Sequence, residues 1–252
     1  MALFTDGTPA TVEDLRRFDN SCEELAKDAN VDLKDKLQVA ADEVGDEILS
    51  FLLFQGVPEN RASRQRTGLK DVVVTSTIRR WHATRALAGL YRDASGTEVT
   101  ERFHRKWKDF ERLSREAAER AFMTGIGLAR TPVPQAPIVG FAETGPALLR
   151  ASRTIRMTWV GPDGTEGSAG PALRVDAAPG DIISAPWPAP QGVGKWNVYV
   201  GIGDGTPLLQ NETPLNADTS WRVPEVLNAG RPVREGQDPD FYVVQRQSVP
   251  RG

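Results

Sequence analysis

Three glycines at alternate positions, Gly201, Gly203 and Gly205, close the apolar stretch "KWNVYVGIGDGT". A strand running into glycines is how many phosphate-binding loops begin, so the first chemistry to weigh is nucleotide binding. The dinucleotide fingerprint needs G-x-G-x-x-G and then a helix, whose N-terminus holds the pyrophosphate. Here the spacing is G-x-G-x-G, and the residues that follow, Thr206-Pro-Leu-Leu-Gln210, are short and strand-like. A hairpin turn with a glycine at positive φ is the favoured reading. The chain has only two histidines, His82 and His104, each near a tryptophan on a helical stretch. Glu101 or Asp109 would have to complete a metal site with them. Polar-face or packing histidines are the simpler reading. One cysteine, Cys22, excludes an internal disulfide and makes a structural zinc site implausible. No Ser/His/Asp set stands out, because the glycines of a nucleophile elbow are missing. No cofactor and no enzymatic activity are expected.

Charge and aromatic residues point to binding instead. Arg61, Arg64, Arg66, Lys70, Arg79 and Arg80 lie close in sequence with few acids among them. They are the candidate contacts to a protein neighbour or to DNA phosphates, the latter unspecific. Arg102, Arg105, Lys106 and Lys108 are interleaved with Glu101, Asp109 and Glu111, as on a solvated helix face. Trp159, Trp196 and Trp221 fall on strand-like stretches and are expected in a core. Trp187, in Ala185-Pro-Trp-Pro-Ala-Pro190, either covers a sheet edge or binds a partner, with edge cover preferred. Carboxylates beside several exposed aromatics, as a sugar site would want, are not evident.

The elements that must position these residues change in period near residue 130. Before it, apolar residues recur every three or four positions. Thr11 begins a helix carrying Leu15, Phe18, Cys22 and Leu25. A second carries Leu33, Leu37, Ala40, Val44 and Ile48, ending at Gly56-Val-Pro58. A basic loop, 59–70, follows. A third spans roughly 75–92, and Asp93–Thr97 is expected as a turn. Ser95 and Glu98 have capping-box spacing for the fourth. That helix carries Phe103, Trp107, Phe110, Leu113, Ala117 and Ala121. The prediction is an antiparallel helical bundle with short connections.

After the proline-rich Thr131-Pro-Val-Pro-Gln-Ala-Pro137, strand signals take over. Ile155, Met157 and Trp159 alternate with Arg156 and Thr158. Asp163-Gly164 is a hairpin signal. Further strands are predicted at 172–177, 181–185, 195–200, 207–210, 219–223 and 241–245. Seven short strands suggest an immunoglobulin or fibronectin III-like β-sandwich. The fold class is thus α then β: residues 1–130 helical, 131–137 a linker, and 138–252 a sandwich with a C-terminal tail.

The net charge of −3 over 252 residues is too small for a bulk nucleic-acid binder. No apolar run is long enough to span a membrane, and no secretory signal opens the chain.

The helical half, with "DLKDKLQVAADEVGDEILSFL" and "VVVTSTIRRWHATRALAGLYRDASGTEVTERFHRKWKDFERL", resembles the head–tail connector (adaptor) proteins of tailed bacteriophages over about residues 10–128. The similarity lies in helix order and texture. The second half, with "TIRMTWVGPDGTEGSAGPALRV", "GKWNVYVGIGDGTPLLQNETPL" and "TSWRVP", is similar to the immunoglobulin-like modules of phage structural proteins. The resemblance implies a non-catalytic virion protein, made in the host cytoplasm. It implies a ring, usually a dodecamer, docked under the portal protein and against a tail or stopper protein, with DNA passing through the lumen. Loop 59–70, turn 93–97 and tail 236–252 are then candidate contact segments. Another neck, tail-completion or decoration role is the alternative, followed by sugar- or nucleotide-binding.

Overall fold

The computed structural model describes residues 1–55, 67–97, 101–144 and 150–245. Helices come first and antiparallel sheets follow. The chain divides into two compact units, Phe4–Arg130 with Pro239–Gly252, and Met1–Leu3 with Thr131–Asp238.

The helical unit contains α1 (Val12–Phe18), α2 (Cys22–Asp28), α3 (Leu33–Phe54), α4 (Ser76–Thr97) and α5 (Glu101–Thr124). A capping box between Thr11 and Asp14 starts α1. The expected single first helix is broken after Phe18, where Asp19 turns extended and uses its carboxylate on Ser21 and more distant donors. Asp32 caps α3 through the Lys34 amide. Helix α4 is buried on almost every side, with Ile78, Trp81, His82, Ala83, Thr84, Leu87 and Leu90 all inaccessible. Two clusters meet along it. Leu15, Leu25, Leu37, Leu87, Leu90 and Phe110 belong to one. Val44, Ile48, Ile78, Trp81 and Ala121 belong to the other. Each fully buried Leu or Ile contributes about 1.5–3 kcal/mol.

The turn expected at 93–97 is instead the last turn of α4. Ala94 is buried, Asp93 pairs with Lys36 of α3, and the Ser95 hydroxyl donates to the Arg92 carbonyl instead of capping α5. Packing against α3 overrides the local turn signal. Helix α5 ends at Thr124, and Gly125, at φ +100°, redirects the chain. The next residues form β1 (Ile126–Leu128), which pairs antiparallel with Phe241–Val243. That last strand, counted with the sandwich in the sequence, completes a two-stranded sheet in the helical unit.

The second unit holds β2 (Gly140–Ala142), β3 (Ala151–Val160), β4 (Leu173–Ala177), β5 (Ile182–Ser184), β6 (Lys195–Ile202), β7 (Leu208–Leu209), β8 (Leu215–Asn216) and β9 (Trp221–Arg222); the strand Phe241–Val243 is β10. One sheet has the order β4-β3-β6-β7, with β8 also on β6, and the other has the order β2-β5-β9. The long β3–β6 pair sets the register: Ile155 faces Val200, Met157 faces Val198, and Trp159 faces Trp196. These side chains and Ile183 of the other sheet share one core. Val133, Ala136 and Val139 also enter it, so residues read as a linker are packed into this unit.

Candidate functional site

The opposite face of the β3–β6 pair is polar by the same alternation that makes the first face apolar. Thr158 sits across from Asn197, and Tyr199 lies two residues on. Glu166, just after the Asp163-Gly164 turn, bridges back to Val160, and its carboxylate lands on this face. One carboxylate oxygen accepts from the hydroxyls of Thr158 and Tyr199 and from the Asn197 amide at 3.0 Å. The other accepts from Arg231 at 2.5 Å. Asn211 continues the network, donating to Asn197 and accepting from the Val198 amide. Burial alone would raise the Glu166 pKa; the donors Asn197, Thr158, Tyr199 and Arg231 outweigh it and hold the group below its ordinary value. Burial and the neighbouring carboxylate push the Tyr199 phenol up.

In the helical unit, Asp19 has a comparable role. It accepts from Tyr91, from Lys106 at 2.6 Å, and from the Ser21 amide and hydroxyl. Burial opposes ionisation, but bonds from Lys106, Tyr91 and Ser21 bring its pKa down to about 2. Lys106 thus leaves the solvated face assigned to it from sequence. His82 is inaccessible and satisfied on both nitrogens: Nδ1 accepts from the Ala10 amide at 3.0 Å and Nε2 donates to the Leu37 carbonyl at 2.8 Å. It ties the segment before α1 to α3. Burial lowers its pKa. His104 is on the surface of α5, edge-on to Trp107 at 5.2 Å. Among the described residues, no three His, Cys, Asp or Glu side chains gather as a metal site would require.

The glycine stretch ends β6 in a turn. Gly205 N–H donates to Ile202 O at 2.9 Å, and Gly203 has φ +55°, the sign a primed hairpin turn needs at its first central residue. Strand β7 follows and pairs back onto β6. A strand and not a helix follows these glycines, so the stretch lacks the strand–loop–helix geometry of a nucleotide-binding loop.

Of the candidate basic contacts, Arg61, Arg64 and Arg66 lie outside the described residues. Lys70 is exposed in a short 3-10 turn, Leu69–Asp71. Arg79 and Arg80 are in the first turns of α4 and form no salt bridge among the described residues; the Arg80 guanidinium lies 5.9 Å from the Phe18 ring centroid. Arg85 is different: it pairs with Glu43 and Glu47 of α3. That pair borders a groove of about 410 Å³ between α3, α4 and α5, which sequence reasoning missed. Small residues line it, among them Ala40, Gly89 and Ala118, and Ser114 in it has a buried hydroxyl without a partner among the described residues.

The tryptophans divide clearly. Trp159 and Trp196 are buried and Trp221 is half-buried, whereas Trp187 is 77% exposed.

No protein-family model matches the chain, and no curated protein matches it at a significant level. No helix among the described residues is long and apolar enough to cross a membrane.

Proposed function

We propose that the chain is a virion structural subunit of a tailed bacteriophage. It forms the head–tail connector (adaptor) ring under the portal, bridges the capsid vertex to the tail, and leaves a lumen for DNA. On this reading the helices form the antiparallel bundle of the connector and the paired sheets form an immunoglobulin- or fibronectin III-like sandwich. The two sheets sharing one core support the latter.

The observation that carries the reading is the apolar end of the helical unit. Phe51 of α3 and Phe122 of α5 pack with ring centroids 4.6 Å apart and planes tilted by 33°, so the two helix ends adjoin. The same ends expose Leu53, Phe54 at 88% and Met123. Three large apolar side chains in water at one end of a unit mark a contact surface. A head-to-tail contact of this kind closes into a ring when the rotation allows. Arg61, Arg64, Arg66, Lys70, Arg79 and Arg80 are the proposed contacts to the portal, a neighbouring copy or passing DNA.

The test is assembly. The purified chain, mixed with portal protein, gives a ring-sized complex by native mass measurement and electron microscopy. Phe54→Glu with Met123→Glu removes the ring and leaves a folded monomer. A chain that stays monomeric with portal present overturns the proposal.

A further inference from the structure

Trp187 is the tryptophan of the β unit that the core does not use, at 77% exposure. Pro186, Pro188 and Pro190 flank it at alternate positions, and each fixes its own φ and restricts the residue before it. The indole is therefore presented from a chain segment with few alternatives, and holding a ligand there costs little further ordering. It borders a groove of about 320 Å³ whose other walls include Ser184, Asp218, Thr219 and Ser220.

The wall facing the tryptophan is anchored to the core. Thr219 N–H bonds Asn216 O and Ala217 N–H bonds Gly194 O, both at 2.9 Å. The buried Trp196 indole N–H donates to the carbonyls of Asn216 at 3.0 Å and Thr219 at 3.2 Å. The turn that carries Asp218, Thr219 and Ser220 is thus held by the sheet, while their side chains stay exposed. Asp218 forms no salt bridge among the described residues; its carboxylate has only a long 3.4 Å contact from the Thr219 hydroxyl.

These groups select a ligand by chemistry. An indole face is electron-rich and attracts weakly positive C–H hydrogens over a flat apolar area. A free carboxylate accepts two adjacent hydroxyls, and the Ser and Thr hydroxyls both donate and accept. A pyranose ring has an apolar C–H face and a rim of hydroxyls, so it meets both walls. An anion is disfavoured by Asp218. An organic ammonium would use the indole face and Asp218 but leave the Ser and Thr hydroxyls without a role. The volume lies at the small end of the roughly 300–1,000 Å³ of ligand sites, which suits a single ring.

We propose that this groove binds a neutral pyranose sugar, stacked on Trp187 and hydrogen-bonded by Asp218 and its neighbouring hydroxyls. The inference is independent of the connector reading, because it needs no assembly.

The test uses saturation-transfer NMR on the full chain with glucose, galactose, mannose and N-acetylglucosamine, and with glucuronate and choline as controls. At least one neutral sugar receives saturation at its ring C–H protons. Trp187→Ala abolishes it without changing the unfolding temperature, Trp187→Phe retains part of it, and Asp218→Asn weakens binding roughly tenfold, as loss of a hydrogen-bonded charge does. Absence of transfer to all four sugars overturns the proposal. Undiminished transfer in Trp187→Ala, or preferential binding of choline or glucuronate, also overturns it.

Discussion

Replacing Glu166 by Gln removes one charge and almost no volume from the buried carboxylate on the polar face of the β3–β6 pair. The oxygen that serves Thr158, Asn197 and Tyr199 can remain an acceptor. The oxygen that serves Arg231 becomes an N–H₂ group facing a guanidinium. Breaking a buried pair in this way costs about 3–5 kcal/mol. The Arg231 side chain is 35% exposed, so water recovers part of that, and about 2–3 kcal/mol remains. Hydrogen exchange of the β3 and β6 amides reads this unit separately from the helices. Exchange through unfolding of the unit then quickens roughly thirty- to 150-fold. Combining Glu166→Gln with Arg231→Met restores part of the loss, because no charge is then left unpaired. A change below about threefold in the single variant would refute the claim that this network holds the polar face together.

Two further predictions concern the helical unit. His82 is neutral in the fold, with its pKa lowered by burial, so the unfolded chain takes up a proton first; stability is full above the unfolded value of 6.5 and is lost as pH falls below it. The unfolding midpoint in urea should drop between pH 7.5 and 5.5, and a His82 ring resonance titrating with a midpoint at 6.5 or above would contradict this. Asp19, brought down to about 2, contributes stability above about pH 4 that is lost as pH falls toward 2. Asp19→Asn should cost about 1–3 kcal/mol, because it removes the charge opposite Lys106 and turns one of the two acceptor oxygens, which serve Ser21 and the Tyr91–Lys106 pair, into a donor; thermal unfolding at pH 7 matching the parent chain would show that these bonds are dispensable.

Helix α3 was legible because its apolar residues repeat without interruption. The β3–β6 pair was legible because Ile155, Met157 and Trp159 alternate with polar residues. What the sequence hid depends on partners far along the chain. The break after Phe18 depends on Tyr91 and Lys106, which draw on Asp19. The continuation of α4 through 93–97 depends on Lys36. The strand at 241–245 was expected, but its pairing with Ile126–Leu128, more than a hundred residues earlier, was not. Of the candidate site, the satisfaction of His82 could be guessed from an apolar helix, but its partners Ala10 and Leu37 could not. The polar face around Glu166 was readable in principle, since Thr158, Asn197 and Tyr199 alternate with core residues. The exposure of Trp187 was not, because a tryptophan between prolines reads first as an edge cover and only second as a platform for a partner.

The central claim is the place of this chain in a particle, and locating it in purified virions by electron microscopy tests that most directly. The account predicts density for the helical unit in a ring between portal and tail, with the α3 and α5 ends against the neighbouring copy. Absence of the chain from virions, or its density on the capsid shell away from the portal vertex, would contradict it.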